Sequence, residues 1–231
     1  MPTPNSQLPA PRHVAIIMDG NRRWAKKNKL SILAGHRKAA FDVIEPLVDT
    51  AITNDVSYLT LWAFSTENWK RDKQEVTGLL MLFREALSDN IDRLHKKGVR
   101  IKSIGDLSKF PADITRRIIE GIEQTKNNTK FTLVFALNYG GRDEIIRAIK
   151  KVTDLSHLTP ERFNELLDTA EMPDADLLIR TGGEQRLSGF LPWQAVYAEL
   201  YFTEVLFPDF SPEEFEKALG EYQRRQRRFG K

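Results

Sequence analysis

Six short runs, apolar almost throughout and rich in β-branched and aromatic residues, recur between longer helical patterns. They fall at residues 13–18 (HVAIIM), 58–64 (YLTLWAF), 99–104 (VRIKSI), 131–137 (FTLVFAL), 176–179 (DLLI) and 199–202 (ELYF). A strand that faces water on one side alternates apolar with polar residues, so runs this uniform imply strands covered on both faces, as in a parallel sheet. The clearest helix spans 73–97, where Val76, Leu80, Phe83, Leu87, Ile91 and Leu94 recur at intervals of three and four and draw one stripe. Asp72 with Glu75 resembles an N-terminal capping pair, and Gly98 supplies a stop. Strand alternating with helix specifies an α/β fold: a single domain with a mainly parallel central sheet flanked by helices. No repeat or linker divides the chain, so the expected organisation is a flexible segment over 1–12 and one domain over 13–231.

Composition excludes several chemistries. The 231 residues contain no cysteine, which removes disulfides, thiolate nucleophiles and cysteine-held zinc. The four histidines, His13, His36, His95 and His157, lack the spacing of a zinc helix. Any metal must therefore be held by oxygen. With 35 basic residues against 32 acidic, the net charge of +3 is too small to require nucleic acid. The basic tail Arg224, Arg225, Arg227 and Arg228 reads as a solvated helix face tempered by Glu213, Glu214, Glu216 and Glu221. No run approaches the ~18 apolar residues of a membrane span, and the start MPTPNSQLPAPR lacks the apolar core of a signal peptide. The expectation is a cytoplasmic protein.

Functional residues cluster directly after the strands. The first strand leads into Asp19-Gly20-Asn21-Arg22-Arg23-Trp24, and the second into Ser65-Thr66-Glu67-Asn68-Trp69-Lys70-Arg71. The fourth leads into Asn138-Tyr139-Gly140-Gly141-Arg142, and the fifth into Arg180-Thr181-Gly182-Gly183-Glu184-Gln185-Arg186-Leu187-Ser188. In a parallel sheet these ends share one edge, where α/β proteins bind ligands. The arginines Arg23, Arg71, Arg180 and Arg186 suit phosphate oxygens in a bidentate way, and glycine turns let backbone amides approach. Together these groups describe a diphosphate site. The lone carboxylate Asp19, set among these cations, fits a Mg²⁺ ion whose remaining ligands are phosphate oxygens and water.

Six blocks carry a family resemblance: HVAIIMDGNRRWA from His13, GHR from Gly35, FSTENWKR with Glu75, NYGGR, RTGGEQRLS, and FLPWQAVYAELYF from Phe190. In order and spacing they resemble the cis-prenyltransferases, the (Z)-isoprenyl diphosphate synthases typified by undecaprenyl diphosphate synthase. The resemblance implies a non-Rossmann parallel sheet, a hydrophobic tunnel and a homodimer. It also implies Mg²⁺-dependent addition of isopentenyl diphosphate to an allylic diphosphate such as farnesyl diphosphate, with new double bonds cis. Contact with a membrane surface for product release is a further expectation.

The family's roles fall on matching positions. Asp19 holds Mg²⁺ and assists departure of the allylic diphosphate, which Gly20, Asn21, Arg22 and Arg23 surround and Trp24 lines. His36 lies by the same phosphates and assists their departure. Asn68 accepts or positions the proton, beside Ser65, Thr66, Glu67, Trp69 and Arg71. Arg180, Arg186 and Ser188, in the block that includes Leu187, grip isopentenyl diphosphate. Glu199 supplies a second metal carboxylate, and Arg228-Phe229-Gly230 resembles a tail that reaches a dimer partner. Strand residues Leu61, Ala63, Phe131, Leu133 and Phe135 are candidate tunnel walls.

Two departures stand out. Ile32 occupies the place of an arginine that contacts diphosphate in most members, with Lys29 or Arg37 as substitutes, and Gly189-Phe190-Leu191-Pro192 replaces a common Asn-Phe-Leu-Leu. Product length, C10 to C20 or longer, is left open by the sequence. A non-catalytic partner of the same fold should lack the metal carboxylates and the FSTENW block, and both are present.

Overall fold

The computed structural model describes residues 9–225. Every sequence-predicted run forms a strand: β1 (His13–Ile17), β2 (Tyr58–Ser65), β3 (Val99–Ile104), β4 (Phe131–Tyr139), β5 (Leu177–Arg180) and β6 (Glu199–Phe202). They make one sheet in the order β3-β4-β2-β1-β5-β6, with all five neighbouring pairs parallel. The fold is thus α/β as expected, and its sheet is wholly rather than mainly parallel. From β1 the chain adds β2, β3 and β4 on one side and only later places β5 and β6 on the other. The order reverses at β1, and such a reversal opens a crevice at the carboxyl ends of the strands.

Residues of alternating parity build two cores. On one face Val14, Ile16, Leu59, Leu61, Phe131, Leu133, Leu177 and Ile179 are buried. They pack against Leu47, Val48 and Ala51 of α3 (Ile44–Thr53) and Phe215, Ala218 and Leu219 of α8 (Pro212–Arg224). On the other face Ala15, Ile17, Val134, Ala136 and Leu178 meet Phe190, Leu191 and Ala195. Two short helices, α1 (Asn21–Lys27) and α2 (Ile32–Lys38), follow β1, and a π-helical turn, Ala39–Val43, joins α2 to α3. Beyond these lie α4 (Lys73–Lys96), α5 (Ala112–Thr125), α6 (Gly141–Ile149) and α7 (Pro160–Asn164).

The ends of α4 match one half of the expected cap. Asp72 accepts a 2.8 Å hydrogen bond from the Gln74 amide, and Gly98, at φ 76°, lets the chain turn out of the helix. Glu75 does not complete a capping box; its carboxylate turns to Arg71 at 3.0 Å. Of the α4 residues only Gly78, Leu79 and Leu94 are fully buried, because much of the apolar stripe faces a cavity instead of a neighbouring element. Among the described residues no helix is long and apolar enough to cross a membrane.

Candidate active site

The cavity, of about 490 Å³, lies between the α3 face of the sheet and helices α4 and α5. Its walls are apolar: Ala63, Phe135 and Leu137 from strands, Phe83, Leu87 and Ile91 from α4, and Ala39 and Ala40 from the π-helical turn. A π-turn shifts register within a helix, and here it sets two small side chains along the cavity. Ala63 and Phe135 thus occupy the wall foreseen for them, whereas Leu61, Phe131 and Leu133 belong to the packed core. At its polar end stand Asp19, Gly20, Asn21, Arg22, Arg23, His36, Asn68 and Arg71.

Asp19 sits where β1 ends, held from two directions. Arg23 Nη2 lies 3.2 Å from one carboxylate oxygen, and Arg180 Nη2 lies 3.0 Å from the other. Its backbone carbonyl accepts from the Thr181 hydroxyl at 2.7 Å and the Phe207 amide at 3.0 Å. The turn needs glycine at position 20: φ is 108°, and a Cβ there would lie 2.9 Å from Leu206 Cδ2. Asn21 fixes the start of α1 by donating to the Met18 carbonyl at 2.9 Å. Arg23 also donates to the Gly182 carbonyl at 2.6 Å and so links the first and fifth post-strand loops.

On the cavity side of Asp19 the charges are organised by Glu75. Its carboxylate, only 8% exposed, lies 3.0 Å from Arg71 and 3.8 Å from Arg22. His36 lies beside this cluster, with Nε2 buried and unpartnered by any protein atom. Burial, reinforced by the positive charges of Arg71 and Arg22, pushes its pKa down to about 4, so the ring is neutral near pH 7. Asn68 and Ser65 bracket the 3₁₀ turn Thr66–Lys70 as a reciprocal cap, in which Asn68 Oδ1 accepts from the Ser65 amide at 3.0 Å.

On the opposite side Arg180, 5% exposed, donates to the Ser188 hydroxyl at 2.8 Å and to the Arg186 carbonyl. Arg186 itself is exposed and paired with Glu184. The loop that follows Arg180 is sharply folded: Gly182, Gly183 and Gly189 have φ from 82° to 85°, and even Ser188 and Leu191 lie in the left-handed region. It is anchored on the NYGGR turn, where the Gly141 amide donates to the Gly189 carbonyl at 2.8 Å. A Cβ on Gly141 would lie 2.0 Å from Pro192 Cδ. Pro192, in one of the two stretches that depart from the family pattern, thus packs directly on a backbone with no side chain.

Several expected site residues lie elsewhere. Trp24 does not line the cavity; its indole donates to Asp209 at 2.7 Å, and Lys38 Nζ lies 5.0 Å from its ring centre. Trp69 is a packing residue, edge-on to Phe64 and Phe110 and donating to Asn138 Oδ1 at 2.8 Å. Glu67 is exposed, Thr66 lies against Gly140, and Leu187 joins the core on the far face. Arg37 is engaged with Glu85 in a bidentate pair of 2.5 and 2.6 Å.

Glu199 lies apart from Asp19 within the chain. It opens β6 in register with Leu177, which is in register with Val14, whereas Asp19 lies beyond Ile17. At about 3.3 Å per residue, at least three strand steps, roughly 10 Å, separate the two levels. Glu199 is paired with Arg225 at 2.8 Å, so within one chain it is no companion to Asp19. The Arg228-Phe229-Gly230 tail and residues 1–8 lie outside the described residues.

Sequence reasoning overlooked two features. Glu75, read as a cap, is the carboxylate that sets Arg22 and Arg71; its four-residue spacing from Arg71 on a helix start was the available signal. A buried network also escaped notice: the Glu144 carboxylate accepts from Tyr139 Oη at 2.6 Å, from Gln194 Nε2 at 3.0 Å and from the Asp168 amide at 3.0 Å. Burial raises the pKa of Glu144, and the network ties the NYGGR turn to the 190s loop.

Among the described residues no three His, Asp or Glu side chains converge as an all-protein metal cage. Mg²⁺ does not need one, since it is commonly held by one or two carboxylates together with phosphates and water. Asp19, with its side chain 30% exposed at the mouth of the cavity, suits that arrangement.

Comparison with known proteins bears on the same residues. The prenyltransferase family model described as undecaprenyl diphosphate synthase matches residues 17–230. An isoprenyl transferase of Clostridium perfringens is 48% identical over 228 residues, covering 95% of this chain and 90% of that one. A Haemophilus ducreyi relative, named a ditrans,polycis-undecaprenyl-diphosphate synthase specific for (2E,6E)-farnesyl diphosphate, is 45% identical, covering 95% and 92%. The crystal structure of lavandulyl diphosphate synthase from Lavandula x intermedia, in complex with dimethylallyl diphosphate, superposes with a TM-score of 0.93 at 33% identity, covering 96% and 99%. The fold, the arginine-ringed carboxylate and these matches lead to one assignment: the chain is a prenyltransferase of the undecaprenyl diphosphate synthase family.

Proposed function

We propose that this enzyme adds isopentenyl diphosphate repeatedly to farnesyl diphosphate, with Mg²⁺ and in the cis configuration, to give a long polyprenyl diphosphate such as undecaprenyl diphosphate. The observation that carries this reading is the place of Asp19 between two unlike cationic groups. One, Arg22 and Arg71 with the neutral His36 beside them, opens on the apolar cavity. The other, with Arg180 and Ser188, does not line it. An allylic diphosphate needs a greasy channel behind its phosphates, and a five-carbon donor does not. The name of the Haemophilus ducreyi relative supports the choice of farnesyl diphosphate.

In this reading the allylic C–O bond breaks as its electron pair leaves with diphosphate. A C–C bond forms to isopentenyl diphosphate, and one proton is lost from the new unit. Asp19 would hold Mg²⁺, which would supply charge neutralisation for the departing group. Arg22, Arg23 and Arg71 add fixed positive charge there, with Gly20 and Asn21 shaping the turn, and neutral His36 can offer its Nε2–H to a phosphate oxygen. The apolar walls keep water from the cation. Asn68, whose amide is too weak a base to take the proton, positions the reacting carbons, with Ser65 bracing its turn. Arg180 and Ser188 hold the donor diphosphate, which Arg186 reaches from the exposed rim. We further propose a homodimer joined beside α6. Ile146 and Ile149 of α6 are exposed at 47% or more, as are Leu155, Val196 and Tyr197 elsewhere in the chain, and exposed apolar side chains of this kind are what a second copy covers.

The test is incubation of purified protein with Mg²⁺, farnesyl diphosphate and labelled isopentenyl diphosphate. The expected result is a ladder of longer prenyl products, sized by thin-layer chromatography, that Asp19→Ala abolishes. No extension with farnesyl, geranyl or dimethylallyl diphosphate would refute the reading. A ladder that stops at C20 or below would replace the long-chain product with a short one.

A further inference from the structure

The hairpin formed by α1 and α2 carries a surface that the prenyl-transfer chemistry leaves unused. Residues 21–41 contain seven lysines and arginines and no carboxylate. Removing those seven from the chain's 35 basic residues leaves 28 against 32 acidic ones, so the positive excess resides in this hairpin. Four of the seven face carboxylates: Arg22 lies near Glu75, Arg23 near Asp19, Arg37 near Glu85 and Lys38 near Asp209. Lys26, Lys27 and Lys29 have no carboxylate within ion-pair distance among the described residues.

The three lysines surround an aliphatic tip. Every residue from 26 to 32 is exposed, Leu30 at 51% and Ile32 at 39%. The turn is fixed: Lys29 adopts φ 56°, and the Leu30 amide closes on the Ala25 carbonyl at 2.9 Å. Gly35 packs on the Asn21 backbone, so α2 returns to the base of α1, and the tip stands about 10 Å out along the seven-residue α1. Arg22, Arg23 and His36, at the base of the hairpin, line the cavity.

We propose that this tip docks on an anionic lipid bilayer, with Leu30 and Ile32 entering the headgroup region and Lys26, Lys27 and Lys29 meeting lipid phosphates. Unpaired lysines flanking exposed aliphatic side chains are the two components of interfacial anchoring. A nucleic-acid surface fits less well, because the one aromatic ring of the hairpin proper, Trp24, is turned to Asp209 and offers no stacking face at the tip. Ile32 thereby gains a role of its own. This docking rests on surface chemistry and is independent of the proposed reaction.

The experiment is co-sedimentation with phosphatidylcholine vesicles, with and without 30% phosphatidylglycerol. The full chain should bind the anionic vesicles and be released by salt. Combined Lys26→Gln, Lys27→Gln and Lys29→Gln should weaken binding about a hundred-fold, each charge contributing about five-fold. Combined Leu30→Ser and Ile32→Ser should weaken it about ten-fold or more, with circular dichroism unchanged. Because the chain has no cysteine, Ile32→Cys can carry a single environment-sensitive dye, whose emission should shift to the blue on anionic vesicles only. Binding indifferent to headgroup charge, binding unaffected by either set of substitutions, or a dye that keeps its aqueous spectrum would overturn the proposal. So would retention of the protein on single-stranded RNA with none on vesicles. Failure here with a normal product ladder would leave the proposed reaction intact.

Discussion

His36 shows how one buried side chain couples the site to pH. Its folded-state pKa of about 4 lies below the ordinary histidine value of 6.5, because burial and two neighbouring arginines oppose a positive charge. Between those values the unfolded chain binds a proton that the folded chain does not. Stability therefore falls as pH drops from 6.5 toward 4, by up to about 3 kcal/mol. In His36→Gln that share of the pH dependence should vanish, which urea titrations at pH 5 and pH 7 would reveal as a smaller difference in midpoint than in the parent. An unaltered difference would place the titration elsewhere. Glu75 is the reason the arginines stay close to this ring, since a carboxylate 8% exposed between two guanidiniums is stable only while both remain.

The hairpin of α1 and α2 depends on a contact between backbones. A Cβ at Gly35 would lie 2.2 Å from the Asn21 carbonyl oxygen, an atom that cannot step aside without unseating Asp19 and Gly20 next to it. Gly35→Ala should cost about 2 to 3 kcal/mol, lower the Tm by roughly 4 to 12 °C, and raise the KM for the allylic substrate. A variant with unchanged Tm would show that the hairpin is looser than its packing indicates. Elements of this kind differ in how far the sequence reveals them. The strands were legible because burial on both faces forces near-continuous apolar runs, and the α4 stripe was legible because its spacing is regular. The partner of that stripe was not, since a helix face that lines a cavity has the same pattern as one that packs on a neighbour. The π-turn at Ala39–Val43 has no residue pattern of its own, and the register that sets Glu199 strand steps away from Asp19 is nothing a family motif states.

At the scale of the molecule, the sheet order governs what the loops can do together. The reversal at β1 places the strand end that carries Asp19 between a cationic group over one core and a cationic group over the other. Val196→Asp should convert the proposed dimer to a monomer in analytical ultracentrifugation while the circular dichroism spectrum stays the same, and a parent that sediments as a monomer would rule the dimer out. The lined hollow beneath α4 carries a practical corollary. An oily slot with a cationic rim does not distinguish a prenyl tail from other anionic amphiphiles, so fatty acids and sulfate-headed detergents should occupy it, raise the melting temperature and slow the enzyme as competitors of the starter.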